Sequence, residues 1–138
     1  MVAPEPSGAC AASAMRAALK EAEMAPDEID YVNAHAPGTP GGDDMEARAL
    51  GLLYSGDYSP MVNSTKPIHG HQLGSTGATE LALSLMMVRD SLVVRTLNCN
   101  EIDDDIRIDV VTGQNREARV DTIMTNSFGF GGHNAVLI

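Results

Sequence analysis

The 138-residue sequence is 43% hydrophobic and carries nineteen acidic against nine basic residues, a formal net charge of −10. That composition suits one packed domain over residues 1–138 and excludes a fibrous or disordered chain, while the negative balance excludes nucleic acid and anionic membrane as partners. Apolar runs such as LALSLMMV fall well short of the roughly 18 residues a membrane span needs, and MVAPEPSG lacks a signal peptide's basic flank and apolar centre, so a soluble, cytoplasmic protein is expected. Cys10 and Cys99 have no CxxC or zinc-motif neighbours and are read as reduced, in small buried apolar roles.

Ser7 is placed to cap a first helix in which Ala11, Ala14, Met15, Ala18, Leu19 and Ala22 recur at helical spacing. So many small residues predict close packing against a neighbour. IDYVNAH reads as a short buried strand, and APGTPGGDD is expected to be loop, with Asp43 and Asp44 at the positive end of the helix DDMEARALGLLY. PMVNST predicts a second strand, and after the loop NSTKPIHGH a helix runs from about Gly77 to Asp90 with Leu81, Leu85 and Val88 sharing a face. The extended runs VVRTLN, IRIDVVT, RVDTIMTN and NAVLI follow. EIDDDI reads as a solvated turn, because the spacing and glycine of a calcium loop are missing. This order predicts an α/β layer architecture with a partly parallel sheet.

Three polar loops each follow a predicted strand: NAHAPGT, STKPIHGH and NSFGFGGHN. Loops at one end of the strands of an α/β sheet converge on one crevice, so the three are expected to build a single site. Within it, His35 and His71 are flanked by small residues, and a neutral imidazole can donate a hydrogen bond to a carbonyl oxygen becoming an enolate. Two such donors make an oxyanion hole. Lys66, five residues before His71, is expected to keep that imidazole neutral by like-charge repulsion, and Glu80 to hold Lys66 in place. His69 forms a His-x-His pair with His71, but no fourth ligand accompanies the three histidines, so no metal is expected.

VNAHAPGTPGGDDMEA, STKPIHGHQLGSTGATE and NSFGFGGHNAVLI resemble, in order and spacing, the signature segments of the C-terminal half of a beta-ketoacyl-acyl carrier protein synthase. The resemblance runs from about Pro4 to Ile138 and implies the C-terminal half of a thiolase-like layered fold, a mixed sheet flanked by helices. It further implies decarboxylative condensation of a malonyl group with an acyl thioester in fatty acid biosynthesis. His35 and His71 become the catalytic histidines, Lys66 the tuning lysine and Glu80 its partner. Phe130, with Gly129, Gly131 and Gly132, becomes a gating loop, and Phe128 a packing neighbour. The resemblance implies no cofactor, since substrates arrive on the phosphopantetheine of acyl carrier protein, whose arm Thr39 would contact.

The family's nucleophilic cysteine belongs to its N-terminal half. Neither Cys10 nor Cys99 falls at a strand-to-helix elbow, so the lone chain is expected to be inactive in condensation and to work with an N-terminal half or a partner subunit, as a homo- or hetero-oligomer. An exposed sheet edge and first-helix face, marginal stability and self-association are expected of the isolated chain. Ala36 and Pro37 replace the Gly-Thr that commonly follows the first histidine, which should weaken or rearrange arm binding, and His133 stands where threonine is common. Carrier proteins are acidic, so the basic docking patch is expected mainly on the other half. The alternatives are a non-catalytic subunit like the chain-length factors, which usually lose the histidines kept here, and a ketosynthase of polyketide synthesis.

Overall fold

A five-stranded sheet runs through the centre of the computed structural model, which describes residues 4–138; the first three residues of the MVAPEPSG segment lie outside it. The elements are α1 (Ala9–Glu21), β1 (Tyr31–Asn33), α2 (Pro40–Leu53), β2 (Met61–Asn63), the single turn α3 (Lys66–His69), α4 (Thr76–Asp90), β3 (Leu92–Val93), β4 (Asp109–Val110), β5 (Arg116–Glu117), β6 (Ile123–Phe128) and β7 (Asn134–Leu137). The sheet order is β4-β2-β1-β6-β7: β4, β2, β1 and β6 are parallel, and β7 returns antiparallel on β6. β3 and β5 form a separate antiparallel pair. The mixed sheet between helical layers is the fold class expected. Of VVRTLN only Val93 is paired, in β3, and of IRIDVVT only Asp109 and Val110, in β4.

Alternation along β1 divides the interior into two halves. Val32 and Ala34 point to a core built with Ala11, Met15 and Leu19 of α1 and Met45, Ala49 and Leu50 of α2. Tyr31 points the other way, into a smaller cluster with Met87 of α4, Val93 and Val111. The small residues of α1 do bring it close to α2: a Cβ added at Gly8 would stand 2.6 Å from the backbone nitrogen of Ala49, and Gly8 has φ +76°, so this position takes no other side chain without strain.

Four expectations need correction. The N-terminal flank of α1 is Gly8, although Ser7 still accepts a hydrogen bond from the Ala9 N–H at 3.2 Å. α2 begins inside APGTPGGDD, because Pro40 occupies its first position, where a missing N–H costs nothing and a fixed φ helps. Cys10 is exposed and Cys99 half-buried; the buried face of α1 is Ala11, Ala12, Met15 and Leu19, which turns position 10 outward. Finally, the buried stripe of α4 is Thr76, Glu80, Ser84 and Met87, while Leu85 and Met86 stay exposed. Of its apolar residues Met87 is buried, with Leu83 and Val88 half-buried beside it, but the N-terminal part of the inner face is polar. The acidic turn at 101–105 is exposed, as expected, and no helix among the described residues is long and apolar enough to cross a membrane.

Candidate active site

Because β1, β2 and β6 run parallel, the segments that leave them emerge on one side of the sheet, and the side chains singled out in those loops meet there. The rings of His35 and His71 stand edge to face, 5.4 Å between centroids at 84°. Phe128, at the end of β6, lies 5.9 Å from His35. Phe130 lines the same cavity as His35 and Phe128 but is 79% exposed, so the ring against the histidine is Phe128, and Phe130 with Gly129, Gly131 and Gly132 forms an outer rim.

The tautomer of His71 follows from its neighbours. Its Nδ1 accepts a hydrogen bond from the Leu73 backbone N–H at 3.1 Å and lies 3.2 Å from the Thr76 hydroxyl, so the ring proton sits on Nε2, ready to be donated. Leu73 reaches that position in the left-handed region, φ +54°, with its side chain 78% exposed. His35 has its Nδ1 buried without a partner, which leaves Nε2 as the nitrogen open to a ligand. Burial first, then the charges of Lys66 and His71, push the His35 pKa down to about 4, so this imidazole is neutral at physiological pH. Lys66 thus opposes protonation of His35, and burial outweighs its effect.

Lys66 opens α3 and is buried, and its Nζ meets Glu80 Oε1 at 2.5 Å. The polar stripe of α4 supplies that contact: Glu80 is fully buried, and one turn later Ser84 receives the Asn33 amide at 3.3 Å. Burial raises the Glu80 pKa, and the hydrogen bond and charge of Lys66 oppose the rise. His69 is occupied elsewhere: its Nε2 pairs with the Thr65 hydroxyl at 3.0 Å and its Nδ1 donates to the Gly70 carbonyl at 2.7 Å. Thr39 is exposed and flanks α2, where Asp43 Oδ1 accepts the N–H groups of Gly38 and Thr39 at 3.1 and 3.3 Å. The His133 carbonyl accepts the Gly129 N–H at 2.7 Å and closes the glycine loop.

Sequence reasoning missed Glu46. Its carboxylate is buried on α2 and accepts three hydrogen bonds, from the His35 N–H (3.0 Å), the Ala36 N–H (2.7 Å) and Asn126 Nδ2 (3.0 Å), so it fixes the backbone that carries His35. A glutamate eleven residues beyond a strand-end histidine, on the inner side of an otherwise apolar helix face, was the available signal.

Residues 1–100 match the family described as Beta-ketoacyl synthase, C-terminal domain. The chain is 40% identical to the 3-oxoacyl-[acyl-carrier-protein] synthase 2 of Coxiella burnetii, an alignment covering all of this chain and 34% of that protein. Among solved structures it is similar to the ishigamide ketosynthase/chain length factor, with TM-score 0.90 and 34% identity over 99% of this chain and 33% of that one. It also resembles a type II polyketide synthase ketosynthase bound to its acyl-carrier protein and hexaketide, with TM-score 0.91 and 27% identity over 99% of this chain and 34% of that one. The chain therefore spans about a third of the length of the relatives it matches. With the thiolase-like sheet order and the three loops at one crevice, these matches fix the kinship: the chain belongs to the beta-ketoacyl synthase family and corresponds to its C-terminal half.

Proposed function

We propose that residues 1–138 form the C-terminal domain of a 3-oxoacyl-acyl carrier protein synthase, carrying the decarboxylation half of a Claisen condensation. One observation supports the reading above the rest: two imidazoles with ring centroids 5.4 Å apart, with Nε2 the proton-bearing nitrogen of His71 and Nε2 the open nitrogen of His35. A malonyl thioester oxygen held between them receives two hydrogen bonds. As the bond to the malonyl carboxylate breaks, carbon dioxide leaves, the electron pair becomes an enolate, and both donors stabilise the charge growing on oxygen. The enolate carbon then attacks an acyl thioester, forming the carbon–carbon bond and releasing a thiolate.

Lys66, held by Glu80, contributes positive potential to that charge and opposes protonation of His35. Thr39 lies at the mouth beside Pro37, where a phosphopantetheine arm would enter; Pro37 offers that arm no donor. Phe130 and its glycines act as the gate. The acylated cysteine comes from outside these residues, since Cys10 lies in the first turn of α1 and Cys99 in the irregular segment between β3 and β4, and neither joins a strand to a helix. The partners are an acyl carrier protein and a cysteine-bearing half or subunit in an oligomer, in the cytoplasm, with no resident cofactor. Retention of His35, Lys66 and His71 favours this reading over a chain-length-factor role, and the polyketide-type relatives keep a specialised ketosynthase as its nearest variant.

The test joins this chain to a cysteine-bearing synthase half. His71→Ala should slow malonyl decarboxylation by about 10²–10³-fold and leave acyl loading of the cysteine intact. Loss of both steps together would overturn the assignment.

A further inference from the structure

His71 stands on the short connection between α3 and α4, and the first residue of α4 comes back against its ring. Thr76 is buried, at 3% exposure, and its hydroxyl lies 3.2 Å from His71 Nδ1, its one hydrogen-bond partner among the described residues. A hydroxyl both donates and accepts, so the direction of this bond is set by what else meets the nitrogen. The Leu73 backbone N–H points at the same Nδ1 from 3.1 Å, and an amide N–H only donates. Nδ1 therefore carries a lone pair and no proton, and the Thr76 hydroxyl donates to it as well. The two donors, two and five residues further along the chain, hold the ring at one nitrogen but differ in kind. The amide is fixed in backbone that is left-handed at Leu73, φ +54°, whereas the hydroxyl hydrogen rotates to suit the ring.

We propose that Thr76 is a positioning residue for His71, whose hydroxyl, by donating to Nδ1, holds the imidazole and makes its Nε2–H a stronger hydrogen-bond donor. Density drawn toward Nδ1 leaves Nε2–H more polarised, since hydrogen bonds in a chain strengthen one another. The catalytic consequence deepens the proposed decarboxylation and rests on that reading. A stronger donor matters most once negative charge has grown on the thioester oxygen, so the hydroxyl acts on the transition state more than on the bound substrate. Its removal therefore lowers kcat and leaves KM nearly unchanged.

Nitrogen-15 NMR of the histidine-labelled chain reads the bond without any reaction. A ring nitrogen whose lone pair loses a donor moves downfield, so the His71 Nδ1 resonance should move downfield in Thr76→Val, which keeps the branched shape and removes the hydroxyl. It should stay in place in Thr76→Ser; should the valine variant not fold, Thr76→Ala should show the same movement. The effect on the reaction is read in the chain joined to a cysteine-bearing half. There Thr76→Val should lower kcat for malonyl decarboxylation about two- to tenfold, the worth of one hydrogen bond, at unchanged KM, and Thr76→Ser should keep the parent value. An Nδ1 resonance unmoved in both the valine and the alanine variant overturns the proposal, as does a moved resonance with kcat unchanged in an enzyme that decarboxylates. If the parent enzyme itself fails to decarboxylate, the proposed function falls, and the NMR shift alone decides whether Thr76 holds His71.

Discussion

The two helical layers cover the same sheet with opposite chemistry. On one face α1 and α2 bury Met15, Leu19, Ala49 and Leu50, with Gly8 letting the helices touch. On the other, α4 buries Thr76, Glu80 and Ser84 while Leu85 and Met86 face outward. Burial in the first layer stabilises the fold, at about 1.5–3 kcal/mol for a fully buried large apolar side chain. Burial in the second fixes orientation, because each buried polar group requires a partner with defined geometry, and here the partners are Lys66, Asn33 and His71. A layer with this composition is the one that borders the chemistry.

The sharpest break in that contrast comes from the ion pair. Lys66→Met leaves the Glu80 carboxylate buried and uncompensated and should lower stability by about 3–5 kcal/mol, measured by urea unfolding. Combining it with Glu80→Leu should restore most of the loss without restoring any function that depends on Lys66. A single-variant cost near zero would mean that the polar layer is wet and the contrast is wrong. In the apolar layer, Met15→Ala removes a fully buried side chain and should cost about 2–5 kcal/mol, with the His35 environment unchanged in its NMR signals.

The smallest effect is a titration. His35 should take up its proton near pH 4 by NMR, well below an ordinary histidine near 6.5. Because its folded pKa is the lower one, the unfolded chain binds the proton first as pH falls. The stability His35 contributes is therefore complete above about pH 6.5 and is lost progressively toward pH 4. A midpoint near 6.5 would remove the case for a neutral imidazole set by burial.

The strand-end loops are legible in the sequence, because glycine and proline after a short β-branched run deny the strand any continuation and leave the histidines between them on a turn. The meeting of His35 with His71 and of Lys66 with Glu80 follows from that reading. The inner face of α4 is not fully legible by periodicity: of the expected stripe Leu81 and Val88 are half-buried and Leu85 is exposed, while Thr76, Glu80 and Ser84 are buried instead. Glu46 escapes for the related reason that a glutamate in DDMEARAL looks like an ordinary solvated helix residue until its three donors are seen. The start of α2 is hidden because two glycines and a proline read as loop, although proline favours a first helical turn.

The pairing of β1 also sets a timetable. Tyr31 joins Met61 on one side but Ile123 on the other, so the central strand acquires its second neighbour only from the closing part of the chain. Non-local pairings of this kind form slowly, since the loop must close before any contact stabilises it. As the polypeptide leaves the ribosome, His35 and His71 can meet through β1 and β2 well before Phe128 arrives on β6. The wall of the crevice that Phe128 supplies is therefore laid after the two histidine loops, and the pair stays bare on that side until β6 docks.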